Sequence, residues 1–319
     1  MKNEVKMKVY SPSRRKSIYR SKPQRHKFII KIILLLIFSV LVFLGISKTP
    51  APQEDTILKY KRILEKDPAN IEAYISLGEN YYQQALDAEL KKNEKETNTL
   101  LEESVKYYQN AIKLDEGGKI SPQSRYHLGI AYFKLSKYSS NKDYYAQAED
   151  ELKKSLQEKF ETAETHIYLG HIYFKKGLFD DAIDEYMRAK AINPNDVAAW
   201  YNLGWVYKVK GMPSNAIVAF RNAVLIPNLD KDLNIRILAV LGEIYYEQGL
   251  MEHAKDEYKI ILKLDRASEI AHYQLGKIYK KQGDLDLAAK ELKNALKLNP
   301  GNKEAKTELD DLEKKIKRF

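Results

Sequence analysis

Past residue 47 a Leu-Gly pair recurs six times, at Leu77-Gly78, Leu128-Gly129, Leu169-Gly170, Leu203-Gly204, Leu241-Gly242 and Leu275-Gly276. The glycine-to-glycine intervals are 51, 41, 34, 38 and 34 residues, so the base period is 34 with insertions of 17, 7 and 4. A period of this length means that one small supersecondary unit is repeated, and such units gain stability by stacking on their neighbours. An aromatic follows each glycine by three residues, at Tyr81, Tyr132, Tyr173, Tyr207, Tyr245 and Tyr279. In the four later units a second glycine comes seven residues after the first, at Gly177, Gly211, Gly249 and Gly283, then a small residue at Ala182, Ala216, Ala254 and Ala288. A bulky residue stands four further on (Tyr186, Phe220, Tyr258, Leu292), and proline closes several units at Pro68, Pro194 and Pro300.

Each position has a physical reason. Leu and Tyr four apart share a helix face, and the second glycine permits the left-handed exit that ends a first helix. The small residue lets a second helix approach closely, and Asn-Pro or Asp-Pro stops that helix. The spacing therefore predicts amphipathic helical hairpins. In these positions the chain resembles the tetratricopeptide repeat family over residues 55–300. The resemblance implies an all-α fold, a right-handed α-solenoid of about six hairpins with a leading half-repeat at 55–68. Residues 301–319, with Ala305, Leu309, Leu312 and Ile316 as a narrow apolar stripe, are expected to form a terminal capping helix. The charged stretch Asp87 to Thr99 reads as a solvated helix extension plus loop, more plausibly a tolerated insertion than a site.

The net charge of +10 is confined to one end: residues 1–31 hold eleven bases and one acid, which leaves 43 bases and 43 acids over 32–319. Behind this tail runs FIIKIILLLIFSVLVFLGIS, Phe28 to Ser47, whose single charge is Lys31. Twenty residues at about 1.5 Å each cover roughly 30 Å, the hydrocarbon thickness of a bilayer. The expected organisation is a basic tail (1–27), a single N-terminal transmembrane helix (28–47), a linker (48–54) and the repeats. A cleaved secretory signal is the rival reading. The long basic region, the length of the apolar run and the prolines at Pro50 and Pro52 favour a retained anchor. The positive-inside rule then leaves the tail in the cytoplasm and the repeats outside it, with the tail drawn to anionic lipid heads. A cytoplasmic repeat domain is the alternative. Nucleic acid is not expected as a partner, because the tail has no folded reader attached.

No cysteine occurs, which excludes disulfides, thiolate metal sites and a cysteine nucleophile. Nucleophile-elbow, phosphate-loop and zinc-protease motifs are absent and the six histidines are scattered, so neither enzyme activity nor a cofactor or metal is expected. His166 and His272 fall where Trp200 stands in its repeat and are expected in the core.

The resemblance instead implies a peptide-binding groove lined by the first helix of each hairpin, at its second, fifth, sixth, ninth, twelfth and thirteenth positions. By register that face carries Tyr126, His127 and Phe133, then Tyr168, His171 and Phe174, then Tyr201, Asn202 and Trp205, then Arg236 and Tyr246, and finally Tyr273. Its aromatic content favours an amphipathic or aromatic peptide over a strongly charged one. His171, Asn202 and Arg236 match the family's chaperone clamp only in part, since Ile167 and Val240 stand at two of its places. The functional expectation is a membrane-anchored scaffold that holds a protein or peptide partner in bacterial envelope assembly. The alternatives are a cytoplasm-facing adaptor and a regulatory subunit of an envelope biosynthesis or secretion complex. Nothing in the sequence sets an oligomeric state.

Overall fold

The computed structural model describes residues 56–115, 121–138 and 143–316. Among the described residues there are fourteen helices and no strand. The first, α1 (Thr56–Lys66), precedes six hairpins: α2 (Ile71–Leu90) with α3 (Glu94–Leu114), α4 (Pro122–Tyr138) with α5 (Asp143–Gln157), α6 (Ala163–Lys176) with α7 (Phe179–Ile192), α8 (Val197–Val209) with α9 (Pro213–Leu225), α10 (Lys231–Glu247) with α11 (Met251–Leu264), and α12 (Glu269–Gln282) with α13 (Leu285–Leu298). The last helix is α14 (Lys303–Ile316). The basic tail and the expected transmembrane segment lie outside the described residues. No helix among the described residues is long and apolar enough to cross a membrane.

Two compact units are present: an N-terminal unit, residues 56–161, and a C-terminal unit, residues 162–316. In each, every hairpin packs on the next through its second helix, as α3 does on α4 and α7 on α8.

The recurrent Leu-Gly pair has a steric cause. A Cβ on Gly170 would lie 2.5 Å from Tyr186 Cε1, and one on Gly204 would lie 2.7 Å from Phe220 Cδ1. Both rings are fully buried. Each first helix thus carries a notch that a bulky residue of the second helix fills, sixteen positions later in the last four hairpins and further on in the first two, where Tyr108 faces Gly78 and Leu152 faces Gly129. The second glycines have φ between 70° and 90°. Past each exit the next amide returns to the carbonyl of the aromatic of the same helix, as Leu178 N does to Tyr173 O at 2.9 Å and Met212 N to Tyr207 O at 2.8 Å. That bond satisfies a carbonyl the helix end leaves free.

Insertions lengthen helices. The first hairpin uses its extra residues to extend α2 and α3 to 20 and 21 residues, against 14 each for α6 and α7. The link between them is only Lys91 to Asn93, with Lys92 at φ 59° in the place of the exit glycine. The extension buries Ala85, Ala88 and Thr97, so part of the 87–99 stretch is packed and the rest is solvated. The four residues inserted before the fifth unit add a turn to the start of α10, capped by Asp230 Oδ1, which accepts from Leu233 N at 3.0 Å. At the far end Ala305, Leu309 and Leu312 of α14 close over Ala288 and Leu292 of α13 and neighbouring side chains.

Candidate functional site

The first helices of successive hairpins form a wall. In the C-terminal unit α6 touches α8, α10 touches α12 and α12 touches α14, while Lys208 Nζ on α8 meets Glu243 Oε2 on α10 at 2.5 Å. In the N-terminal unit α2 touches α4, and two contacts to carboxylates cross between them, a hydrogen bond from His127 Nδ1 to Glu79 Oε2 and an ion pair from Lys134 Nζ to Glu89 Oε2, both at 2.6 Å.

The twelve residues expected on this wall separate by depth. Within the N-terminal unit, Tyr126 is buried against Phe160 and His127, with ring centroids 5.4 and 5.2 Å away. His127 stacks on Tyr82 at 5.7 Å, and the partly exposed Phe133 meets Tyr145 edge-on. Within the C-terminal unit, Tyr168, His171, Phe174, Tyr201 and Asn202 are all buried. Trp205, Tyr246 and Tyr273 are partly exposed and Arg236 is exposed. Helical register gives the direction in which a side chain leaves its helix. How deep it lies depends on the spacing of the neighbouring helices, which register does not encode.

Asn202, expected on the groove face and as part of the clamp, instead places Nδ2 2.9 Å from His171 Nε2, with both side chains fully buried. Burial lowers the His171 pKa to about 3, against the raising effect of the Asn202 hydrogen bond, so the imidazole is neutral. Of the three residues that partly matched the chaperone clamp, Arg236 alone is exposed.

The exposed part of the wall combines rings with cations. Lys208 Nζ lies 5.5 Å from the Trp205 ring centroid. Lys277 Nζ lies 5.2 Å from the Tyr246 centroid and 5.4 Å from that of Tyr273, and Lys281 Nζ is 4.8 Å from Tyr246. This surface can hold a chain by stacking and ion pairing.

A second feature escaped the sequence reading. In four of the hairpins the residue four before the Leu-Gly glycine meets the residue three after the small residue of the second helix. His166 Nδ1 reaches Glu185 Oε2 at 2.5 Å, His272 Nδ1 reaches Glu291 Oε2 at 2.6 Å, and Arg125 Nη1 reaches Glu151 Oε2 at 3.1 Å. In the first hairpin two rings meet there instead, Tyr74 and Tyr107 at 6.2 Å. These pairs clasp the two helices of one hairpin, and the signal for them was the charge complementarity at two fixed places in the period. The fifth unit has Leu238 at the first place, and its carboxylate, the nearly inaccessible Glu257, pairs with Arg221 of the preceding hairpin. Among the described residues no group of three or more His, Asp or Glu could hold a metal.

A polar cleft of about 290 Å³ opens in the N-terminal unit among α1, α2 and α4, with Tyr60, Ser76, Glu79, Asn80, Ser124 and His127 on its walls. The hydrogen bond from His127, helped by Gln83 and Tyr108, holds the Glu79 carboxyl below the usual carboxylate range despite its burial.

Family models match three stretches of the chain: one described as TPR repeat over residues 170–211, and two described as tetratricopeptide repeat over 197–228 and 270–302. These stretches carry the tetratricopeptide repeat. The C-terminal part of a TPR repeat-containing protein from Cytophaga hutchinsonii superposes on this chain with a TM-score of 0.55 and 19% identity, covering 72% of this chain and 84% of that one. Pseudomonas aeruginosa pilF gives 0.52 and 15%, over 76% and 99% of the two chains. The APC/C hetero-tetramer Cut9-Hcn1 gives 0.48 and 16%, and there this chain covers 81% of itself but spans only 45% of its counterpart. At these identities the likeness concerns the tetratricopeptide-repeat fold alone. No curated protein compared with the chain matches it.

Proposed function

We propose that this protein is a membrane-anchored interaction scaffold that holds partner proteins or peptides on the first-helix wall of its repeats, in the assembly of a bacterial envelope. The observation that carries the reading is the combination of the exposed Arg236 with Trp205, Tyr246 and Tyr273 on one wall of the C-terminal unit, three rings that pack on the core with one side and keep the other open to solvent. Aromatic rings that are partly open to solvent and rimmed by cations are the usual chemistry of a binding surface. Anchoring is supported by the apolar run Phe28 to Ser47 behind ten basic residues, and the charge asymmetry favours repeats on the far side of the membrane from the tail. An anchor also raises the local concentration of any partner in the same membrane.

Two experiments test this. Replacing Trp205, Tyr246 and Tyr273 together by alanine is expected to abolish capture of the native partner while helical circular dichroism is unchanged; retained capture would remove the wall from consideration. The triple replacement uses partly exposed rings because removing the buried Tyr168 and Tyr201 would open cavities and confuse folding with binding. Protease added to intact cells is expected to digest the repeats and spare the tail, and the reverse pattern selects the cytoplasm-facing arrangement.

A further inference from the structure

The exposed stripe of α12 changes character along its length. Ile270, near the start of the helix, is 44% exposed although aliphatic. Tyr273 follows on the same face, then Lys277, then Lys281, which is exposed. Other lysines of the wall are neutralised within the chain, Lys208 by Glu243 and Lys280 by Glu308. Among the described residues neither Lys277 nor Lys281 has a carboxylate partner, and the contacts they make are with the faces of Tyr246 and Tyr273. Stacking on two rings restricts the Lys277 side chain before any ligand arrives, so less freedom is lost on binding an anion.

We infer that this stripe takes an extended acidic segment of a partner protein, with an aliphatic side chain over Ile270 and two carboxylates on Lys277 and Lys281. The inference rests on the scaffold reading above and names the chemistry of the partner. Geometry sets the spacing. The seven residues from Ile270 to Lys277 advance about 10 Å along a helix, and the four from Lys277 to Lys281 about 6 Å. An extended chain rises about 3.3 Å per residue and turns alternate side chains to one face, so the matching segment has an aliphatic residue, an acid four positions later and a second acid two beyond that, with the flexible lysine stems taking up the remaining ~3 Å. This revises the expectation that a strongly charged ligand would be disfavoured. Two free lysines beside an aliphatic residue are too few for a nucleic-acid backbone, whose binding draws on about six to ten phosphate contacts.

The test is fluorescence anisotropy with the full chain and the labelled peptide Leu-Ser-Ser-Ser-Glu-Ser-Glu, alongside its analogue with Gln for both Glu. The acidic peptide is expected to bind, with affinity falling as salt rises. The Gln analogue, and the double variant Lys277→Glu with Lys281→Glu, should each bind at least tenfold more weakly. Lys297→Glu on α13 serves as a control and should bind as the parent does, and Lys277→Arg with Lys281→Arg should keep binding. Equal affinity for the two peptides, no binding of either, or insensitivity to the charge reversal overturns the acidic-segment assignment. If the Trp205, Tyr246 and Tyr273 replacement still abolishes partner capture in that event, the scaffold reading survives without it; if capture is unchanged as well, both fall. Self-association of the full chain that the charge reversal abolishes, without peptide binding, assigns the stripe to a second copy and likewise overturns the inference.

Discussion

A methyl group on Gly170 would stand 2.5 Å from a carbon of the fully buried Tyr186 ring, and neither the ring nor the helix behind it has room to yield. Gly170→Ala is therefore expected to cost about 1–3 kcal/mol through overpacking, although alanine favours the helix by about 1 kcal/mol. A thermal melt checks this, and an unchanged melting temperature refutes it. Lys92 shows the opposite case, a side chain held at φ 59° where four other hairpins place glycine. Lys92→Gly should raise stability by up to about 1 kcal/mol, because the left-handed conformation costs a residue with a Cβ about that much. His171 makes the residue scale sensitive to pH. Its folded-state pKa of about 3 lies below the unfolded value of about 6.5, so the unfolded chain takes up the proton first. The stabilisation is complete above pH 6.5 and is lost progressively as pH falls towards 3, amounting to about 2 kcal/mol by pH 5. Urea unfolding of the parent and of His171→Leu between pH 7 and 5 should show a slope in the parent that the variant lacks; parallel curves would assign the acid sensitivity elsewhere.

At the scale of helices, a carboxylate in the same place of the period joins two helices of one hairpin at Glu151, Glu185 and Glu291 and joins two hairpins at Glu257. Burial raises the Glu257 carboxyl pKa while Arg221 opposes the shift, so the guanidinium on α9 is what makes a charge tolerable inside α11. Arg221→Leu should cost about 3 kcal/mol by leaving that carboxyl buried and unpaired, and Arg221→Leu with Glu257→Leu should recover much of the loss. A double-mutant cycle by chemical denaturation measures the coupling, and strictly additive losses would show the pair to be idle. The hairpin boundaries were legible in the sequence because Gly177, Asn193-Pro194 and their equivalents act locally on the backbone. The lengths of α2 and α3 were only partly legible. The absence of glycine between Asp87 and Thr99 marked an extension, but nothing local told that Lys92 would adopt the left-handed turn and keep the link to three residues.

For the molecule as a whole, stability in a stack of repeats is a sum of unit and nearest-neighbour terms. Removing residues 303–316 strips Ala305, Leu309 and Leu312 from Leu292 and uncovers the apolar face of the last hairpin. Hydrogen exchange should then lose protection in α12 and α13 while α6 to α9 keep theirs. A uniform loss across the C-terminal unit would mean that it unfolds as one block. The charge distribution also belongs to this scale, since a chain of net +10 whose last 288 residues balance 43 bases against 43 acids has local rather than global electrostatics.

By itself the sequence determined the repeat, its register, the helix exits and the direction in which each wall residue points. All of these follow from backbone preferences and from contacts at fixed separations along the chain. Only the tertiary structure decided which of those residues a partner could touch. Tyr201 and Tyr246 both lie on first-helix faces, yet Tyr201 is 4% exposed and enclosed by Trp205 and Phe220, whereas Tyr246 remains open beneath Lys277 and Lys281. Depth is set by the volumes of side chains on neighbouring helices, and those are brought together by packing, not by the period.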